Sequence, residues 1–388
     1  MLFSKPMTPE ANLLLACARR FVSGGEAGEV LYALHCAFDW DVLLAMAERH
    51  GMTALLNHEL DSVCPDRIPA AWRARFERQA KSNLVHTAVL GRVLDLLDRN
   101  GIPAVPLKGP ALATLAYGDL TLRAFSDLDL LIPRNDVART MDLLAGMWFR
   151  LESGLHWSCA SACLRSKEGE LSFRRADGVR LDLHWRLLPD YFASSLDGEG
   201  VWEHLGAMRL AGRDVPALSS EDLLLFLCAH GSKHRWECLG WLCDVALLIE
   251  RGETDWPLLL LLAREQHIER MVLLGLRLAG DLLGAPLPDA VREAIGRDGL
   301  VTKLEDEVLA TIFRPRTEAS PVRDGLLNLR MLERIPDKLR FLRGLLITPT
   351  EAEWRRLLLP PALFFLYYPY RLARLARSLF AQLKWQPS

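Results

Sequence analysis

From about residue 8 to residue 100, apolar side chains recur three and four positions apart, as at Leu31, Leu34 and Phe38 and again at Leu90, Val93, Leu94 and Leu97. That spacing predicts helices. Thr8 is placed to cap the first of them with Pro9 at its first position, and Gly101 closes the last. The period then changes. Residues 102–107 read as a short strand, Gly109-Pro110 as a turn, and 111–118 as a helix. Residues 128–132 read as a strand led by two aspartates. Asn135 is expected to cap a helix that runs to Ala145, with Asp136 in its first turn and Gly146 as its stop. Residues 170–175 and 179–187 alternate in the strand manner around Ala176-Asp177-Gly178, whose Asp-Gly pair signals a hairpin. After Pro189 the helical period returns, with Ser220 as the cap of a run to His234. It continues through 238–250, 256–267 and 269–283, and no strand is expected there. These elements predict an α+β fold, a small mixed β-sheet core flanked by helical regions. The expected divisions are a helical region 1–88, an α/β core 89–190, a helical domain 191–300 and a helical region 301–388.

The chain has 388 residues, 50% of them hydrophobic and 25% charged, enough to bury a large core. Its net charge of -2 makes long nucleic acid an unexpected partner, since neutralising phosphates calls for a broad basic excess. The eight cysteines show no CxxC pairing and suit reduced thiols. The first ten residues lack the apolar run and cleavage site of a secretory signal. The longest apolar stretch, 357–368, is short for a bilayer span and is broken by Pro360 and Pro361. A cytoplasmic protein is expected.

Chemistry concentrates at Ser126-Asp127-Leu128-Asp129. On a strand, residues two apart share a face, so Asp127 and Asp129 project together while Leu128 and Leu130 point to the core. Adjacent carboxylates repel, and a shared hard cation offsets that cost; Mg²⁺ or Mn²⁺ carrying substrate phosphates suits oxygen ligands of this kind. Asp182, flanked by Leu181 and Leu183 on another predicted strand, completes a candidate metal set if the two strands pair, with the role of general base. An Asp-x-Asp pair that only solvates a sheet face is the alternative. Upstream, Lys108-Gly109 lies at a strand-turn-helix junction, where free amides, a helix dipole and the lysine would attract a triphosphate.

Together, Leu107-Lys108-Gly109, Tyr117-Gly118-Asp119, Arg123, Ser126-Asp127-Leu128-Asp129-Leu130-Leu131 and Leu181-Asp182-Leu183-His184-Trp185 resemble the uncharacterised nucleotidyltransferase family of the DNA polymerase β-like superfamily. The resemblance runs from about residue 90 to 285 and takes in the stretch from His230 to Trp236 and Trp241-Leu242-Cys243-Asp244. It implies metal-dependent transfer of a nucleoside monophosphate from a nucleoside triphosphate, ATP first among the donors, with release of pyrophosphate. By the same resemblance Asp127, Asp129 and Asp182 are catalytic and bind metal, and Lys108, Gly109, Arg123, Ser126, Lys233 and His234 contact the nucleotide. Lys233 would reach the β- or γ-phosphate. The chain departs from the pattern at Pro110, where Gly or Ser is usual, and in the long interval between Gly109 and Asp127. The acceptor is open, with a small molecule or peptide favoured. The rival functions are a non-catalytic, antitoxin-like binding module and a small-molecule kinase.

Two further features remain. His230, His234 and Cys238 are four apart and would share a helix face, which suits a zinc site, hydrogen-bonded structural histidines or a nucleotide contact. Asp244 is expected to pair with His234 or Arg235. In residues 369–384, Arg371, Arg374 and Arg377 form one stripe and Leu372, Leu375, Leu379 and Leu383 another. That basic amphipathic helix is expected to pack its leucines inward, with a peripheral membrane or protein contact as the alternative.

Overall fold

The structure, a computed structural model, describes residues 7–153, 169–192, 200–314, 321–349, 353, 356, 357 and 359–384. Five helices open the chain: α1 (Pro9–Ser23), α2 (Gly28–His35), α3 (Trp40–Arg49), α4 (Thr53–Val63) and α5 (Ala70–Arg99). Thr8 caps α1 as its position predicts, its side chain accepting from the Ala11 amide at 3.3 Å. The 30-residue α5 joins two cores, because Trp72 is buried with α1 to α4 while Val89, Leu90, Val93, Leu94 and Leu97 are buried against a sheet.

That sheet contains β1 (Val105–Pro106), β2 (Asp127–Leu131), β3 (Arg150–Leu151), β4 (Glu170–Arg174) and β5 (Arg180–His184) in the order β1-β2-β5-β4-β3. Only the β2-β5 pair is parallel. Between β1 and β2 lie the short helix α6 (Pro110–Leu112) and a π-helical turn, Ala113–Tyr117. Leu128, Leu130, Leu181, Leu183 and Phe173 have no exposed surface and share a cluster with α5 and α7 (Val137–Gly146). Burying side chains of this size stabilises by about 1.5–3 kcal/mol each. A one-residue slip of β2 would turn its aspartates into that core, so the leucines define the register. The cap expected at Asn135 is absent: a 3-10 turn, Arg134–Asp136, leads into α7 without a side-chain cap.

Beyond Pro189 the structure corrects the expectation of helices alone. β6 (Gly206–Leu210) and β7 (Arg213–Ala217) form a two-stranded hairpin about Ala211 and Gly212, both at positive φ. Alternating Met208 and Leu210 with the following Ala-Gly carried the signal. Then come α8 (Ser220–Lys233), α9 (Leu239–Glu250), α10 (Trp256–Glu265), α11 (Glu269–Leu283), α12 (Asp289–Arg297), α13 (Gly299–Leu309), α14 (Pro321–Met331), α15 (Ile335–Ile347) and α16 (Tyr367–Lys384). The cap of α8 is Ser219 rather than Ser220, accepting from the Asp222 amide at 3.1 Å. Helices α1 to α4 share one hydrophobic core with α8 to α13, so segments far apart in sequence form a single helical layer beside the sheet.

Candidate active site

The parallel pairing of β2 and β5 sets Asp129 opposite Asp182, Asp127 opposite Arg180 and Leu131 opposite His184. Partners in register point to the same side of a sheet, so Asp127, Asp129, Asp182 and His184 share the face opposite Leu128, Leu130, Leu181 and Leu183. Antiparallel β4 adds Glu170 beside His184 and Ser172 beside Asp182. Helices α8 and α9 face this polar surface across a cavity of about 430 Å³. All nine residues singled out in the sequence line it: Asp127, Asp129, Asp182, Lys108, Gly109, Arg123, Ser126, Lys233 and His234.

Lys108 is delivered by a turn that only glycine accommodates. Gly109 has φ +56°, and a Cβ there would stand 3.2 Å from the Asp127 carbonyl, so its absence lets the turn press against β2. The Lys108 Nζ lies 3.0 Å from Asp129 Oδ1. The turn has few free amides: Pro110 lacks an N–H, and those of Ala111 and Ala113 bind the Lys108 and Gly109 carbonyls. Its capacity for an anion therefore rests on the lysine more than on the backbone.

Asp129 Oδ1 is also 3.0 Å from His184 Nε2, and His184 Nδ1 is 3.3 Å from Glu170 Oε2. With a carboxylate at each nitrogen, the imidazole is favoured in its doubly protonated form; burial opposes that charge, but Asp129 and Glu170 raise the pKa regardless. Burial likewise opposes the Lys108 ammonium, and Asp129 with Asp127 outweighs it and raises its pKa. Burial would raise Asp129, yet Lys108 and His184 hold it below the usual carboxylate range. The other two carboxyls move upward. Burial, then repulsion from Asp129, raises Asp127, and the same two causes push Asp182 to about 6.

The carboxyl oxygens suit a hard divalent cation, and Asp182 Oδ1 is buried with no hydrogen-bond partner, the mark of an acceptor awaiting a donor or ion. The side chains are not yet gathered for it. Among the described residues no three His, Cys, Asp or Glu groups converge to hold a metal, and Asp129 Oδ1 is engaged by Lys108 and His184.

The sequence placed Arg123 among nucleotide contacts, whereas its fork closes on Asp244, with Nε and Nη2 at 2.8 and 2.9 Å from the two carboxylate oxygens. Tyr117 OH donates to the same Oδ1 at 2.8 Å. Asp244 thus pairs with Arg123 and Tyr117 rather than with His234 or Arg235, because the π turn and the loop before β2 bring those two against α9. Asn83, fully buried on α5, secures that loop by donating to the carbonyls of Leu120 and Arg123 at 2.7 and 2.9 Å.

The opposite wall is aromatic. The ring centroids of His230 and His234 are 4.7 Å apart, and Trp241 lies 5.4 Å from the former and 5.5 Å from the latter. Burial and the charge of Lys108 drive the His230 pKa well below its ordinary value, so this imidazole is neutral. The shared helix face that a zinc site would need does not form. Helix α8 ends at Lys233, Arg235 and Trp236 take positive φ, and Trp236 folds back over Gly231, where a Cβ would meet its ring at 2.5 Å. Cys238 therefore leaves the face and its thiol contacts the His50 carbonyl at 2.9 Å. His184, Glu170 and Trp241 had no assigned role in the sequence; the period-two alternation through Asp182 and His184 was the available signal for the first.

A mixed sheet bearing aspartates on adjacent parallel strands, faced by a lysine-bearing helix, defines a nucleotidyltransferase-like architecture. The chain belongs to the uncharacterised nucleotidyltransferase family, whose model matches residues 37–284. It is similar to the crystal structure of an antigenic nucleotidyltransferase-like protein from Paracoccidioides brasiliensis, at 18% identity, over 54% of this chain and 96% of that one, with a TM-score of 0.29. No curated protein matches it.

Proposed function

We propose that the chain transfers a nucleoside monophosphate from a nucleoside triphosphate, ATP first among the donors, to a small-molecule or peptide acceptor and releases pyrophosphate. Family membership supports nucleotidyl transfer in general, and the observation that carries the finer assignment is the register of Asp129 opposite Asp182 with Asp127 on the same face. Asp127, Asp129 and Asp182 would hold Mg²⁺ or Mn²⁺, which neutralises triphosphate charge and polarises the α-phosphoryl group. Asp182, whose buried Oδ1 has no hydrogen-bond partner, is assigned the role of general base. It takes the proton of the acceptor nucleophile, whose electron pair forms the new bond to the α-phosphorus as the bond to the bridging oxygen breaks. Lys108 and Lys233, the latter without a hydrogen bond or ion pair among the described residues, offset charge on the departing pyrophosphate. The base rests against His230, His234 and Trp241.

Titration calorimetry of ATP, GTP, CTP and UTP with Mg²⁺ into the wild type and Asp127→Ala/Asp129→Ala tests this proposal. Metal-dependent binding of a nucleotide that the variant loses is expected, and pyrophosphate rather than a nucleoside diphosphate should be the product. A diphosphate product would reassign the chain as a kinase. A non-catalytic binding module is the second reading, favoured by the engagement of Asp129 Oδ1 by both Lys108 and His184. Nucleotide binding without turnover over a panel of hydroxyl- and amine-bearing acceptors would support it.

A further inference from the structure

The start of the last helix departs from the burial that its pattern predicts, with Arg371 buried and Leu372 exposed, while Leu375 is half-buried. Arg371 is 5% exposed, with Nη1 3.0 Å from Glu353 Oε2 and Nη2 2.6 Å from the Leu345 carbonyl, and Arg374 Nε is 2.5 Å from Glu353 Oε1. Glu353 is itself fully buried, so this carboxylate draws the two arginines inward. The helix turns accordingly, and Leu372 is left 47% exposed. Leu379 and Leu383 lie where side chains are outside the described residues.

Phe365 and Tyr368 continue the exposed row of Leu372 at intervals of three and four, and Ile335, Leu339 and Leu346 form an exposed row on α15, which packs against α16. Ten of the 19 large hydrophobic side chains exposed among the described residues fall between 335 and 372. Charge is concentrated in the same segment. Residues 335–388 hold nine Lys and Arg against three Asp and Glu, a net of +6 in a chain whose total is -2. With Arg371 and Arg374 committed to Glu353, Arg343, Arg356 and Arg377 carry exposed positive charge.

A nucleic acid would match the charge and leave the apolar rows in water. An acidic bilayer surface matches both, since the boundary between headgroups and acyl chains takes aromatic and leucine side chains while lipid phosphates pair with arginine. No helix among the described residues is long and apolar enough to cross a membrane. We propose that α15, the 3-10 segment Pro361–Leu366 and α16 form a surface that docks peripherally on anionic lipid bilayers. This inference is independent of the transferase assignment.

The test is co-sedimentation of the full chain with vesicles of phosphatidylcholine alone or of phosphatidylcholine containing phosphatidylglycerol. Two variants accompany it, Phe365→Ser/Tyr368→Ser/Leu372→Ser and Arg343→Gln/Arg377→Gln. Their side chains are exposed, and a thermal melt checks that the fold is kept. The wild type should sediment with the anionic vesicles alone, and each variant should partition about tenfold or more weakly. Absence of wild-type binding to anionic vesicles, equal binding to both vesicle types, or binding indifferent to the serine variant overturns the proposal. So does a concentration-dependent dimer that the serine variant abolishes in the absence of lipid binding, which would assign this face to a second copy.

Discussion

Two buried charge clusters line the same cavity and are built on opposite terms. Around Asp244, the Arg123 fork and the Tyr117 hydroxyl engage both carboxylate oxygens. Around Asp129, four carboxyl groups, those of Asp127, Asp129, Glu170 and Asp182, share the cavity wall with Lys108 and His184, which form ion pairs with Asp129 and Glu170. That set leaves a buried oxygen of Asp182 without a partner and holds two aspartates above their ordinary pKa. The first cluster spends its charges on fastening the loop before β2 to α9. The second keeps reactive capacity, because its acceptors can still take a proton or a cation.

The largest expected effect breaks the closed cluster. Asp244→Ala strands the Arg123 guanidinium in a buried site, and urea denaturation should show a loss of about 3–5 kcal/mol. A loss below 1 kcal/mol would mean that water reaches Arg123 and that the pair is not a structural clamp. Lys108→Met is next, expected to cost about 1.5–3 kcal/mol because Asp129 then keeps only His184 as a charged partner. Combining it with Asp129→Asn in a double-mutant cycle should recover part of that loss; additive losses would show that the ion pair contributes nothing of its own.

The smallest effect has the opposite sign and sharpens the comparison most. A carboxyl whose folded pKa is raised to about 6 binds its proton more tightly in the folded state, so its contribution to stability falls as pH rises from the unfolded value near 4 through 6. Asp182→Asn should therefore stabilise by on the order of 1–2 kcal/mol at pH 7 and by nothing at pH 4. An equal gain at both pH values would trace it to packing rather than charge. In the proposed transfer reaction the same variant should lose on the order of 100-fold or more.

Local pattern made much of this legible. The Asp177-Gly178 turn, with Gly178 at positive φ, joins β4 and β5 as expected, and the helix expected at 269–283 is found at Glu269–Leu283. Alternation through Ser126 to Ile132 and Arg180 to His184 was enough to set the aspartates on one face of each strand. What escaped were preferences resolved by distant partners. The Met208–Leu210 alternation was short beside the surrounding helical signal, and the zinc spacing of His230, His234 and Cys238 assumed a helix that Trp236 brings to an end over Gly231.

The sequence by itself determined β1, β2, β4 and β5, their polar and apolar sides and the helical periods around them, because side-chain periodicity and capping act over a few residues. Only the tertiary structure decided that β2 and β5 run parallel and adjacent, that Asp244 claims Arg123, that Glu353 turns Arg371 and Arg374 inward, and that the first four helices share a core with those after residue 219. The physical reason is common to all four. A buried charge or an apolar face takes the partner that satisfies it best in space, and separation along the chain carries no information about which partner that will be.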